Sequence, residues 1–89
     1  MPWHIYILKC KDGVLYTGIT NNLKRRITVH NSGKGCKFTR CRVPVKLVYS
    51  EKSLNRSLAS KREAQIKSLT RKKKLELIKA AKKKGEVYK

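Results

Sequence analysis

Apolar residues follow two rhythms along this chain. Trp3 to Cys10 alternates imperfectly and is rich in Ile, Tyr and Trp, which predicts a strand, and Val14 to Thr20 reads the same way. Lys11-Asp12-Gly13 lies between them. A three-residue hairpin loop with Gly last is a common type, because Gly tolerates the left-handed conformation of the bulge. That loop pairs Cys10 with Val14, Leu8 with Tyr16 and Tyr6 with Gly18, and so puts Tyr6 and Tyr16 on one face. A two-residue Asp12-Gly13 turn would shift the register by one and separate the rings. A third strand, Val45 to Ser50, is expected after Pro44.

The other rhythm is helical. Asn21-Asn22 offers an N-cap for a helix over Leu23 to Asn31, ended near Gly33. Leu23 and Ile27 face the core, while Arg26 and His30, four apart, are neighbours, with His30 at the rim of the apolar stripe. Asn55 can cap a second helix, Arg56 to Leu69, with Leu58, Ala59, Ile66 and Leu69 buried and Glu63 at the stripe's edge. Thr70 can cap a third, Arg71 to Lys84, with Leu75, Ile78 and Ala81 inward and Gly85 as its stop. Ser32 to Arg42 reads as a polar loop. These elements predict a small α/β domain: a three-stranded antiparallel sheet flanked by helices, in the order β-β-α-β-α-α.

Charge narrows the partners. The 89 residues carry 24 Lys and Arg against 5 Asp and Glu, a net +19. Residues 1–45 hold nine basic residues and one acid; residues 46–89 hold fifteen and four. The field therefore covers the whole chain and favours a polyanion, with nucleic acid foremost. No stretch approaches the ~20 apolar residues of a membrane span, and no secretory signal is visible. Cys10, Cys36 and Cys41 are odd in number and irregular in spacing, which suits reduced cysteines in a cytoplasmic or nucleoid-associated protein. His30 with these cysteines matches no standard zinc module.

With that order in place, the chemistry-bearing residues form a recognisable set. His4-Ile5-Tyr6 and Tyr16-Thr17-Gly18 resemble the paired motifs of the GIY-YIG nucleases. Leu23-Lys24-Arg25-Arg26-Ile27 resembles that family's arginine helix, with His30 one turn on, and Arg62-Glu63-Ala64 resembles the segment carrying its metal-binding glutamate. Gly35 to Arg40 and Val45 to Ser50 resemble the small stand-alone branch. The resemblance covers about residues 3–78, within a single domain. His4 stands where the family has Gly, Thr17 where it has Ile, and Ile19 occupies the region where several members carry a lysine. The third helix lacks the late asparagine that many have.

The resemblance implies phosphodiester hydrolysis, and the residues suit it. One carboxylate, Glu63, could hold a single Mg²⁺ or Mn²⁺ that keeps most of its waters. Arg26 has the planar donor fork suited to phosphate oxygens. An unperturbed tyrosine, with a pKa of about 10, is a poor base unless cations favour its phenolate. Tyr6 as base with Tyr16 orienting it is the first assignment; the reverse is equally chemical, and His30 could be base, shuttle or phosphate ligand. Lys24, Arg25, Lys37, Thr39 and Arg40 are assigned to nucleic-acid binding. The expectation is a divalent-metal-dependent endonuclease with low intrinsic specificity, acting on DNA in preference to RNA. A partner protein or a nucleic-acid shape would direct it. The rival is a basic nucleic-acid-binding module on the same fold, with weak or no chemistry.

Overall fold

A computed structural model describes residues 2–34 and 42–83. Its elements are β1 (Trp3–Lys9), β2 (Leu15–Thr20), α1 (Leu23–Asn31), β3 (Lys46–Ser53), α2 (Arg56–Lys67) and α3 (Arg71–Lys83). The order is the expected one, and the sheet is antiparallel throughout with strand order β2-β1-β3. The expected sites Lys37, Thr39 and Arg40, together with Cys36, Cys41 and the Gly85 stop, lie outside the described residues.

The hairpin takes the three-residue form. Cys10 N donates to Val14 O (2.8 Å), Gly13 N donates to Cys10 O (2.9 Å), and Gly13 has φ +85°. That left-handed angle is where an L side chain would be strained. Tyr6 pairs with Gly18 and Leu8 with Tyr16.

Strand alternation then sorts the core into two layers. Tyr6, Leu8 and Cys10 pack with Val45, Tyr16, Leu23 and Ile27 beneath α1. Ile5 and Ile7 pack with Tyr49, Ala59, Ile66, Ile78 and Ala81 beneath α2 and α3. The sheet is covered on both faces, and β2 is an edge strand.

The helix starts follow the capping residues. Asn22 Oδ1 accepts from Arg25 N, Asn55 Oδ1 from Leu58 N, and Thr70 Oγ1 from Lys73 N. Asn31, at the last turn of α1, holds both polar groups of the Val45 backbone (2.7 and 3.2 Å) and so fixes the entry to β3.

Several expectations are corrected. β3 runs to Ser53, and a bulge opposite Ile7 and Leu8 gives it one extra residue, Val48. α2 ends at Lys67, closed by Ser68, and not at Leu69. Leu58 and Leu75 are exposed. Leu58 stands about 100° round α2 from Ala59, off the narrow Ala59–Ile66 stripe. On α3 the inward arc is centred on Ile78 and Ala81, and Leu77 joins it in place of Leu75.

Candidate active site

Three aromatic rings meet on the α1 face. Tyr6 comes from β1, Tyr16 from β2 and His30 from the last turn of α1. Ring centroids are 6.4 Å apart for Tyr6–Tyr16, 6.1 Å for Tyr6–His30 and 5.4 Å for Tyr16–His30. Tyr6 Oη and His30 Nε2 are hydrogen-bonded at 3.1 Å. The shared face expected for the two tyrosines is therefore observed, and it follows from the hairpin register.

His30 departs from its expected place at the rim and is fully buried, as is Tyr6. Periodicity on an isolated helix could not anticipate this, because the ring is enclosed by two tyrosines delivered from the sheet. Tyr16 is only half-buried.

Gly18 makes the cluster possible. It lies directly across from Tyr6 in the β1–β2 register. A Cβ at this position would stand 2.5 Å from Tyr6 Oη, 2.7 Å from Tyr6 Cζ and 3.2 Å from Tyr16 Cε2. The Tyr6 ring thus lies across the bare backbone of Gly18 on its way to His30. The sequence marks Gly18 as part of a motif; only the register shows what its missing side chain is for.

Burial, and then the charge of Arg26, lower the His30 pKa from its ordinary 6.5. A neutral imidazole at neutral pH can exchange a proton with the Tyr6 phenol to which it is bonded. The unfolded chain binds more protons than the folded chain once pH drops below about 6.5, so the stability contributed by neutral His30 is present above that pH and is lost as pH falls through it. His4 is lowered in the same direction by burial and by Lys52. Thermal denaturation between pH 7.5 and 5 should therefore show Tm falling below about pH 6.5, with a shallower fall in His30→Asn. An equal slope in that variant would remove His30 as a source.

Arg26, one turn before His30, is half-buried. With Thr20, Asn21, Asn22, Arg25 and Val29 it lines an open depression of about 560 Å³ at the start of α1. The Arg25 and Arg26 guanidinium groups suit a phosphate there. Lys24 is exposed on the same helix.

Glu63 comes from the other layer, since α2 packs on the Ile5–Ile7 face. Its side chain is partly buried, and the carboxylate lies 3.4 Å from Lys67 Nζ. The rotation of α2 is set by its neighbour Arg62, whose Nε donates to Glu51 of β3 at 2.6 Å. Around the helix axis, Arg62 and Glu63 flank the Ala59–Ile66 stripe on opposite sides. Arg62 reaches β3, so Glu63 lies on the side of α2 turned away from that contact. From β2, Thr17 presents to the α2 face a buried hydroxyl without a hydrogen-bond partner among the described residues.

The fold therefore brings Tyr6, Tyr16 and His30 together, with Arg26 one turn away, and places Glu63 in the opposite layer, on α2. Among the described residues no group of three or more His, Cys, Asp or Glu side chains could hold a metal. Any cation here would rest on the single carboxylate. The donor set fits that use: one oxygen-donor side chain suits a hard cation that keeps its waters, and the exposed Lys67 is a weak competitor. No helix among the described residues is long and apolar enough to cross a membrane.

Comparison with known proteins gives the same frame. The GIY-YIG catalytic domain family matches residues 2–76. The UPF0213 protein CPE1444 of Clostridium perfringens is 56% identical over 85 residues, covering 96% of this chain and 91% of its own length. The UPF0213 protein SAG0778 of Streptococcus agalactiae is 51% identical over 79 residues, covering 89% and 90%. Among solved structures, the solution structure of EF2693 from E. faecalis aligns with a TM-score of 0.62 at 44% identity, covering 90% of this chain and 85% of that one. That of the UPF0213 protein BH0048 from Bacillus halodurans gives 0.59 at the same identity and coverage. The motif residues, the β-β-α-β-α-α order and these matches agree: this chain belongs to the GIY-YIG nuclease family, among its compact UPF0213 relatives.

Proposed function

We propose that this protein is a divalent-metal-dependent endonuclease that hydrolyses phosphodiester bonds in DNA, with low intrinsic sequence specificity. The observation that carries this reading is the Tyr6–Tyr16–His30 cluster laid across Gly18, with Arg26 at its border. A structural core gains little from enclosing two phenols and an imidazole, because each adds a polar group that needs a partner. A hydrolytic site needs such groups held in place.

Burial suggests how the roles divide. Tyr6 and His30 are enclosed, while Tyr16 is half-buried on an edge strand. Tyr16, its phenolate favoured by Arg26 and the surrounding positive charge, is then the phenol that faces the attacking water and takes its proton. Tyr6 orients Tyr16, and neutral His30 holds Tyr6 through their 3.1 Å hydrogen bond. Arg26 binds the non-bridging phosphate oxygens and stabilises the charge that builds there. Glu63 is the residue that would hold one Mg²⁺ or Mn²⁺, which when bound would neutralise phosphate charge and assist the leaving oxygen. The +19 charge draws the polyanion in without reading its sequence.

The Glu63–Lys67 ion pair favours a second reading, a binding module whose carboxylate is merely a helix partner. A nicking assay separates the two. Supercoiled plasmid is incubated with Mg²⁺ or Mn²⁺, with a chelator control, for the wild type, Glu63→Ala and Arg26→Ala. The nuclease reading expects nicking that needs metal and both side chains. Nicking that survives Glu63→Ala refutes the site. Binding without any metal-dependent cutting of duplex, single-stranded or branched substrates favours the module.

A further inference from the structure

A second cationic depression lies around the end of the sheet from the first. It has a volume of about 280 Å³ and is lined by Trp3, Ile19, Thr20, Asn21, Arg26 and Arg56. Trp3 and Ile19 belong to the α2 face, Thr20 and Arg26 to the α1 face. This surface therefore wraps the end of β1 and β2 and joins the two layers. Arg26 and Thr20 line both depressions.

Arg56 is held there by Trp3. Its Cζ stands 5.7 Å from the indole centroid, within cation–π range. Arg56 opens α2, with no acid in that helix's first turn. Stacking on a ring restrains a long side chain that would otherwise lose its rotamer freedom on binding, and leaves the N–H edge of the guanidinium available to an oxyanion. Two guanidinium groups from different helices thus line one small depression, and a polyanion's backbone, with a charge on every unit, is a ligand that can engage both.

We propose that Trp3 and Arg56 form a second phosphate clamp, which takes the backbone phosphate next to the one held by Arg26. The clamp leads the nucleic-acid strand round the end of β2, from the α1 layer to the α2 layer. It rests on the nuclease reading for its substrate. It also supplies that reading with a path that brings one strand past both the tyrosine cluster and α2, which carries Glu63.

The test is made on the full chain in EDTA, so that no strand is cut. Binding of a short fluorescent DNA duplex is followed by anisotropy over a range of NaCl concentrations. Removing one phosphate contact should lower the slope of log affinity against log salt by about 0.9. Arg56→Ala should show that loss, whereas Lys79→Ala, a surface charge on α3, should show a smaller one. Trp3 is the only tryptophan in the chain, so its emission reports on the clamp directly. DNA should protect it from iodide quenching, with the midpoint seen by anisotropy, in the wild type and in Arg56→Lys. An unchanged slope in Arg56→Ala, an equal loss in Lys79→Ala, or a Trp3 that iodide quenches equally with DNA bound would overturn the clamp. If slope and protection hold but plasmid is never nicked, the clamp stands and the nuclease reading falls. If nicking holds without them, the clamp alone falls.

Discussion

Tyr16→Phe should lower the rate of plasmid nicking by about 10²–10⁴-fold, the usual worth of a positioned general base. The ring stays, so the aromatic cluster and the fold should be kept, and circular dichroism with a Tm within a few degrees of wild type checks this. Tyr6→Phe should differ in kind. It removes a buried hydrogen bond to the His30 imidazole, and losing a partner in such a place costs about 1–3 kcal/mol. That variant should lose both cutting and stability. Tyr16→Phe that cuts at the wild-type rate, with Tyr6→Phe inactive at unchanged stability, would reverse the two roles.

Gly18→Ala should be as damaging to cutting, by a steric route. The added methyl group meets Tyr6 Oη and Cζ at 2.5 and 2.7 Å. The far end of a ring that is itself walled in by His30 and Tyr16 has little room to retreat. Overpacking of this kind costs about 1–3 kcal/mol, which in a domain this size is about 4–8 °C of Tm per kcal/mol. The backbone of Gly18 is not in the left-handed region, so strain does not contribute. Chemical denaturation checks the stability loss and the nicking assay the activity loss. Full activity in Gly18→Ala would mean that the Tyr6 position is not needed for the chemistry.

Much of this arrangement is legible along the chain because its determinants are local. The Lys11-Asp12-Gly13 loop fixes the hairpin register, and the register alone puts Tyr6 and Tyr16 on one face. Asn22, Asn55 and Thr70 announce their helices because each side chain satisfies a backbone N–H within three residues. What escapes the sequence is set by contacts between distant segments. His30 is buried by rings from β1 and β2, which helical periodicity cannot see. The direction of Glu63 depends on Arg62 finding Glu51, eleven residues earlier on another element. Leu58 and Leu75 look like core residues by type, yet the inward arcs of α2 and α3 are narrower than their apolar content suggests. The pairing of Trp3 with Arg56 carries no sequence signal, because the two residues meet only when α2 folds over the sheet.

In the proposed nuclease one site is assembled from two layers of the fold, with Tyr16, Tyr6, His30 and Arg26 in one layer and Glu63 reaching it from α2 in the other. A crystal structure of the protein soaked with Mn²⁺ tests this most directly, because the ion's anomalous signal marks its position without interpretation. The expected result is one Mn²⁺ on the Glu63 carboxylate, with a bound water within hydrogen-bonding reach of the Tyr16 phenol. Mn²⁺ bound elsewhere, or bound to Glu63 but facing away from Tyr16, would overturn the two-layer site.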